Sequence, residues 1–239
     1  MSIRSVILAG GKGTRLRPLT AVFPKPLVPL GSKAIIEILL RRLKQFGLTD
    51  VTLCTGYLSE MIMALCGDGS KFGLNIDYVH EEQPLGTAGP LALLEKTTDP
   101  IIVMNGDLLT TMNFSKMLES HRATNADITI GVYQREVKID FGVVEKNPND
   151  KFVGFKEKPT YHFDVSMGVN IIGKAAIKHI KEKGKYLDMP DLILAVNKSG
   201  GKVNCYQEDC FWLDIGRLDD YGLAQKEFEE NEERFLSVT

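Results

Sequence analysis

Three short apolar runs, each passing into a glycine, set the architecture of the N-terminal half. "SVILAG" (residues 5–10), "VTLCTG" (51–56) and "PIIVMNGD" (100–107) are too short for buried helices and lack the strict alternation of half-exposed strands. They read as strands covered on both faces. Between the first two lies "KAIIEILLRRLKQFG". Its Ile35, Ile36, Leu39, Leu40, Leu43 and Phe46 fall at helical spacing, with Arg41, Arg42 and Lys44 on the other side and Gly47 as the stop. "LSEMIMALCG" reads as a second helix, "NIDYVHE" as a strand, and "GTAGPLALLEK" as a loop and helix. Strands alternating with helices predict an α/β fold, a Rossmann-like, mostly parallel sheet flanked by helices with right-handed crossovers. Ligands of such sheets bind beyond the carboxyl ends of the strands. That rule puts the glycines after Ala9 and the "NGD" after Met104 on one rim.

The second half is richer in β-structure. "ADITIGVY", "GVVEKN", "KFVGFKEK", "MGVNIIG" and "KVNCYQE" read as strands. One helix, "GKAAIKHIKEKG", interrupts them, and "DDYGLAQKEFEENEERF" closes the chain as a charged amphipathic helix whose acidic run is a solvated face. Without a Gly/Ser/Pro linker, residues 1–239 are expected to form one continuous domain with a lobe for each half.

A formal net charge of −2 gives no overall basic excess, so neither nucleic acid nor an acidic membrane is expected as a partner. Cys54, Cys66, Cys205 and Cys210 form no CxxC pair and have no histidine cluster beside them, which argues for free thiols over zinc. "SVILAG" is too short for a signal-peptide core or a membrane span, and a cytoplasmic protein is expected.

The chemistry is concentrated in "ILAGGKGTRLRPLTAVFPKPLVPL", Ile7 to Leu30. It is not a P-loop, because Lys12 sits between glycines without the earlier glycine that GxxxxGK[ST] requires, and it is not GxGxxG, because Leu16 occupies the third glycine position counted from Gly11. A bare tight turn is the competing explanation. Gly10, Gly11 and Gly13 nonetheless let backbone N–H groups approach a ligand, Thr14 offers a hydroxyl, and Arg15 a planar fork for phosphate oxygens. Lys25 is flanked by Pro24 and Pro26, which restrict its backbone and suit it to holding a charge against an anion. A surface lysine in a proline-rich loop is the plainer alternative.

With these motifs in order, the chain resembles the sugar-1-phosphate nucleotidyltransferases. "LAGGKGTRLRPLT" and "PKPLVPL" are followed by "GDGSKFG", "HEEQPLGTAGPLALL", "NGD", "FGVVE", "EKP" and "WLDIG", so the likeness covers nearly the whole chain. It implies that a sugar phosphate oxygen attacks the α-phosphorus of an NTP, releasing pyrophosphate. The half up to about residue 125 would bind nucleotide and the half from about 126 the sugar. Backbone from Leu8 and Ala9 through Gly10, Gly11, Gly13 and Thr14 would line the nucleotide phosphates. Arg15 would hold the β- and γ-phosphates, and Lys25 would bridge the α-phosphate and the sugar phosphate. Asp107 and Asp214 match the family's metal-binding aspartates, which implies Mg²⁺. Gly142, Glu157 and Lys158 resemble sugar and phosphate contacts, with Asn170 a weaker match.

The loop "EEQPLGTAGPLAL" most resembles that of mannose-1-phosphate guanylyltransferases, implying GTP, with another NTP as the alternative. Glu81, Gln83, Gly86 and Thr87 could then meet the base, and one of Glu81 and Glu82 would face guanine. "SMG" (Ser166–Gly168) departs from the Asn before Ala-Gly of many relatives, so an amino sugar or a heptose stands beside mannose. A non-catalytic sensor would keep the fold and lose the charged set, and that set is complete here. A glycosyltransferase is disfavoured by the activation-type "AGGKGTR…PKP". Many guanylyltransferases continue into a β-helical extension. A minimal enzyme or the catalytic domain of a longer protein is therefore expected, with a homo-oligomer left open.

Overall fold

The computed structural model describes residues 3–95, 97, 100–180 and 182–237. One sheet runs through both halves of the sequence. Its strands are β1 (Arg4–Ala9), β2 (Asp50–Thr55), β3 (Asn75–His80), β4 (Ile101–Asn105), β5 (Ile128–Lys138), β6 (Thr160–Ile172) and β7 (Val203–Gln207), in the order β7-β5-β6-β4-β1-β2-β3. Every neighbouring pair is parallel except the two made by β6, which runs antiparallel to β4 and β5. The predicted α/β class and its mostly parallel sheet are therefore found.

Burial on both sides explains the apolar runs. In β1, Val6 joins a core with Ile101 and Val103 of β4, while the next residue, Ile7, joins a core on the other face with Ile102 and Met104. The period of two in a strand divides the same run between two cores. The second of these is covered by α1 (Ile35–Gln45), α2 (Ser59–Cys66) and α3 (Phe114–Thr124). The first is covered by a 3-10 turn (Gly89–Leu93), the short α4 (Lys174–Ile177) and α5 (Met189–Lys198). A third core packs α6 (Leu218–Glu230) and α7 (Glu232–Leu236) on the outer side of α1, around Ile35, Ile38, Phe228 and Phe235. Glu229, Glu230, Glu232 and Glu233 of the terminal segment face solvent as predicted, whereas Glu227 is half-buried and pairs with Arg234, and burying the two phenylalanines contributes roughly 1.5–3 kcal/mol each.

Several elements differ from the sequence expectation. Arg42 is not on a solvated face: it is 4% exposed, and Nη2 donates to the carbonyls of Thr111 and Met112 at 2.6 and 3.1 Å. Burial lowers its pKa to about 10, so it remains a cation at neutral pH. The helix α3 was not predicted, because the fourth buried position of its stripe is His121, hydrogen-bonded to Thr129. The helix α5 was also unpredicted. The helix predicted over 173–184 is reduced to Lys174–Ile177, because the chain beyond it extends to hydrogen-bond residues 85–89. The closing helix breaks at Asn231 into α6 and α7. Lys96 and Lys181, at positions within two predicted helices, lie outside the described residues. All four cysteines are free thiols. Among the described residues no helix is long and apolar enough to cross a membrane.

Candidate active site

Beyond the carboxyl ends of β1, β2, β3 and β4 opens a cavity of about 670 Å³. It is lined by Leu8 and Ala9 at the end of β1 and Gly10 and Gly11 after it, by Glu81, Gln83, Gly86 and Thr87 after β3, by Asp107 after β4, and by Lys25. Ten of the predicted site residues are thus brought to one cavity, and all but Lys25 stand at or beyond a strand end, where the strand-end rule places them.

Local packing explains the glycines. A Cβ on Gly10 would stand 2.5 Å from Glu81 Oε1, so the carboxylate lies against bare backbone. Of the two adjacent glutamates, Glu81 is half-buried and Glu82 exposed. The Glu81 carboxylate accepts from Leu85 N–H at 3.1 Å, and burial raises its pKa against the opposing pull of that bond. Gly13 has a left-handed φ of 58°, and a Cβ there would lie 2.9 Å from Lys25 Cβ. The Thr20 hydroxyl closes this turn on the Gly13 carbonyl at 2.6 Å. The glycine loop therefore packs against the stem of Lys25.

Lys25 begins a 3-10 turn (Lys25–Leu27) after the extended Pro24 and is 9% exposed. Its ammonium ion-pairs with Asp107 Oδ2 and lies 3.8 Å from Asp214 Oδ1. Asp214 reaches this point because Trp212–Asp214 pairs antiparallel with Leu108–Thr110, which directly follows the "NGD". Burial, and then the neighbouring Asp107, raise the pKa of Asp214, while Lys25 and Arg15 pull it down. Two oxygens, Asp107 Oδ1 and Asp214 Oδ1, are buried without a hydrogen bond. Arg15 is exposed and flanks Gly216, where a Cβ would lie 3.5 Å from both Arg15 Nη1 and Asp214 Oδ1.

Gly13, Thr14, Arg15 and Asp214 thus flank the cavity without lining it. Gly142 and Glu157 lie together, a Gly142 Cβ being 3.1 Å from Glu157 Oε2, beside the ribbon of Val143–Lys146 and Phe152–Lys156. Glu157 and Lys158 are exposed, and Lys158 has a positive φ of 42°. Asn170 is buried within the sheet opposite Val103 of β4, with Oδ1 unpartnered. None of these four lines the cavity. Residues that sequence reasoning missed do: Tyr57, Asn105, Tyr186 and Asp188. Asn105 is the first residue of the "NGD" and could have been read from the strand-end rule. The other three carry no local signal.

The profile described as "Nucleotidyl transferase" matches residues 4–231. The chain belongs to the nucleotidyl transferase family. Among its relatives, the mannose-1-phosphate guanylyltransferase of Mycobacterium tuberculosis is 34% identical over 226 residues, 92% of this chain and 62% of that protein. The mannose-1-phosphate guanyltransferase of Schizosaccharomyces pombe is 33% identical over 228 residues, with the same two coverages. The chain spans 62% of the length of these relatives. Among solved structures, HddC from Yersinia pseudotuberculosis superposes with a TM-score of 0.74 at 25% identity, covering 95% of this chain and 99% of that one.

Proposed function

We propose that this chain transfers GMP from GTP to a sugar 1-phosphate, releasing pyrophosphate and a GDP-sugar for glycan precursor synthesis. The observation that carries this is the position of Lys25, its ammonium between Asp107 and Asp214 beside a glycine-walled cavity of nucleotide size. Two polyanions repel before they react, so the protein's part is alignment and neutralisation. Backbone at Gly10 and Gly11 admits the phosphates closely. Arg15 holds the departing pyrophosphate, and Lys25 exchanges its carboxylate partners for the α-phosphate and the sugar phosphate.

The residues present fit Mg²⁺. It takes one or two carboxylates together with substrate phosphates and water, and here Asp107 and Asp214 both stand against the Lys25 ammonium, each with a buried oxygen that accepts no hydrogen bond. Asp107 and Asp214 would hold the ion, which when bound neutralises phosphate charge. Among the described residues no group of three metal-ligating side chains occurs, consistent with a site completed by substrate.

The choice of guanine rests on the relatives and on Glu81, which lines the cavity with its carboxylate against Gly10 and suits a purine's N–H donors. Mannose 1-phosphate is the leading acceptor, with Gly142, Glu157, Lys158 and Asn170 as the sugar side. We place the reaction in the cytoplasm, where four free thiols persist. The test is pyrophosphate release with GTP, Mg²⁺ and a panel of sugar 1-phosphates. Release with GTP and mannose 1-phosphate supports the proposal. Faster release with another NTP overturns the choice of base.

A further inference from the structure

The loop proposed to read the base is built from outside itself. Segment 184–189, from the other half of the sequence, holds its outer flank. Gln83 Nε2 donates to the Gly184 carbonyl at 3.3 Å. Leu187 N–H donates to the Leu85 carbonyl at 2.9 Å, and the amides of Ala88 and Gly89 donate back to the Leu187 carbonyl at 2.9 and 3.0 Å.

Asp188 is at the centre of this junction. It is the N-cap residue of α5, yet its side chain makes no cap bond to that helix. Oδ1 accepts from the Thr87 amide at 3.2 Å and from the Thr87 hydroxyl at 3.3 Å. Thr87 Oγ1 in turn accepts from Met189 N–H at 2.7 Å, satisfying one of the first-turn donors that have no partner within the helix. The exchange binds loop and helix to each other. The second oxygen, Oδ2, accepts from the Tyr186 hydroxyl at 2.7 Å. Tyr186 is 64% exposed and lines the cavity, as Asp188 does, so its ring is tethered at the mouth. A Cβ on Gly86 would stand 2.5 Å from the Leu187 carbonyl oxygen and 2.8 Å from Asp188 Oδ1, so the two segments leave no slack.

We infer that Asp188 is a positioning residue for nucleotide selection, one carboxylate oxygen fixing Thr87 and the other the Tyr186 ring at the cavity. The amide and hydroxyl of Thr87 are then engaged in building the loop, and Thr87 reads no base edge with them. The tethered ring gives the base an aromatic face, which favours the larger surface of a purine. This inference rests on the proposed nucleotidyl transfer.

The test is steady-state kinetics with all four NTPs on the wild type, Asp188→Ala, Asp188→Asn, Thr87→Val and Tyr186→Phe. Loss of the hydrogen bonds to Thr87 and Tyr186 in Asp188→Ala raises KM for GTP about tenfold and weakens the preference for GTP over pyrimidine nucleotides, with kcat changed by no more than about threefold. Asn keeps an acceptor for Thr87 and can donate to the Tyr186 oxygen, so Asp188→Asn restores KM to within about threefold of the wild type. KM does not depend on the fraction of enzyme that is folded, which separates positioning from general stability. If Asp188→Ala does not fold, Thr87→Val, which removes the hydroxyl bonds and keeps the amide one, and Tyr186→Phe, which removes the other arm, are expected to raise KM for GTP. Folded variants with wild-type KM and base preference, or with reduced kcat at unchanged KM, overturn the inference. A wild type silent with every NTP overturns the functional proposal itself, and this assignment with it.

Discussion

Lys25 Nζ lies 3.8 Å from Asp214 Oδ1 while its ion pair is made with Asp107. One ammonium therefore compensates two carboxylates contributed by distant parts of the chain. If the lysine holds the two reacting phosphates in the working enzyme, its loss is felt in turnover. Lys25→Met keeps the stem that packs on Gly13 and removes the charge. Its kcat is expected to fall by about 10²–10³, the scale of removing one preorganised charge-stabilising group, with a smaller change in KM for GTP. A variant with more than about half the wild-type kcat would contradict the role.

Asp107→Asn removes a carboxylate whose Oδ1 is buried and unpartnered. A loss of turnover of about 10²–10³ is expected with the far-ultraviolet circular dichroism unchanged. The Mg²⁺ concentration for half-maximal activity should rise in the same variant. EDTA should abolish wild-type activity and added Mg²⁺ restore it. An unaltered Mg²⁺ dependence would remove Asp107 from the metal site.

Two glycines should behave differently. At Gly10 an added methyl meets the free end of the Glu81 side chain, which can swing away. Gly10→Ala is expected to lose less than about 1 kcal/mol of stability while raising KM for GTP severalfold, because the carboxylate is displaced into the pocket. At Gly86 the methyl meets the Leu187 carbonyl oxygen at 2.5 Å and φ is +76°. Gly86→Ala should cost about 1–3 kcal/mol, read as a lowered midpoint in urea. Equal losses at the two positions would contradict this packing.

Asp214 gives a pH-dependent prediction. Its pKa is raised in the folded state, first by burial and then by Asp107, so the fold favours the protonated carboxyl. The stabilising contribution is present below the ordinary carboxylate pKa and is lost as the pH rises through the raised folded value. Asp214→Asn mimics the neutral form. Without nucleotide or Mg²⁺, the variant is expected to melt above the wild type at neutral pH, with the gap narrowing as the pH falls towards the ordinary carboxylate range. Its activity should fall at the same time. A variant less stable than wild type at neutral pH would contradict the sign.

The parts of this site that were legible in the sequence are those dictated locally. An apolar strand running into glycine must end at the rim of a parallel sheet, which placed Gly10, Gly11 and Asp107 together before any contact was known. Asp214 was reached only through family resemblance, since its place beside Asp107 depends on the pairing of Trp212–Asp214 with Leu108–Thr110. Asp188 was unreadable because its meaning is a pair of hydrogen bonds from Thr87, about a hundred residues away in sequence, and Tyr186 because it is tied to the site only through Asp188. Arg42 was misplaced for a similar reason: its partners, the carbonyls of Thr111 and Met112, are supplied by the tertiary fold. The helix α3 escaped because a histidine satisfied by Thr129 stands where the pattern called for an apolar residue.

The central claim is attack by a sugar phosphate on the α-phosphorus of GTP. Its most direct measurement follows label from GTP marked at the α-phosphorus and, separately, at the γ-phosphorus, with Mg²⁺ and mannose 1-phosphate, identifying products by mass. The α-label should appear in a GDP-sugar and the γ-label in pyrophosphate, in equal amounts. Label remaining in GTP with every sugar 1-phosphate, or γ-label released as inorganic phosphate without a sugar nucleotide, would contradict the account.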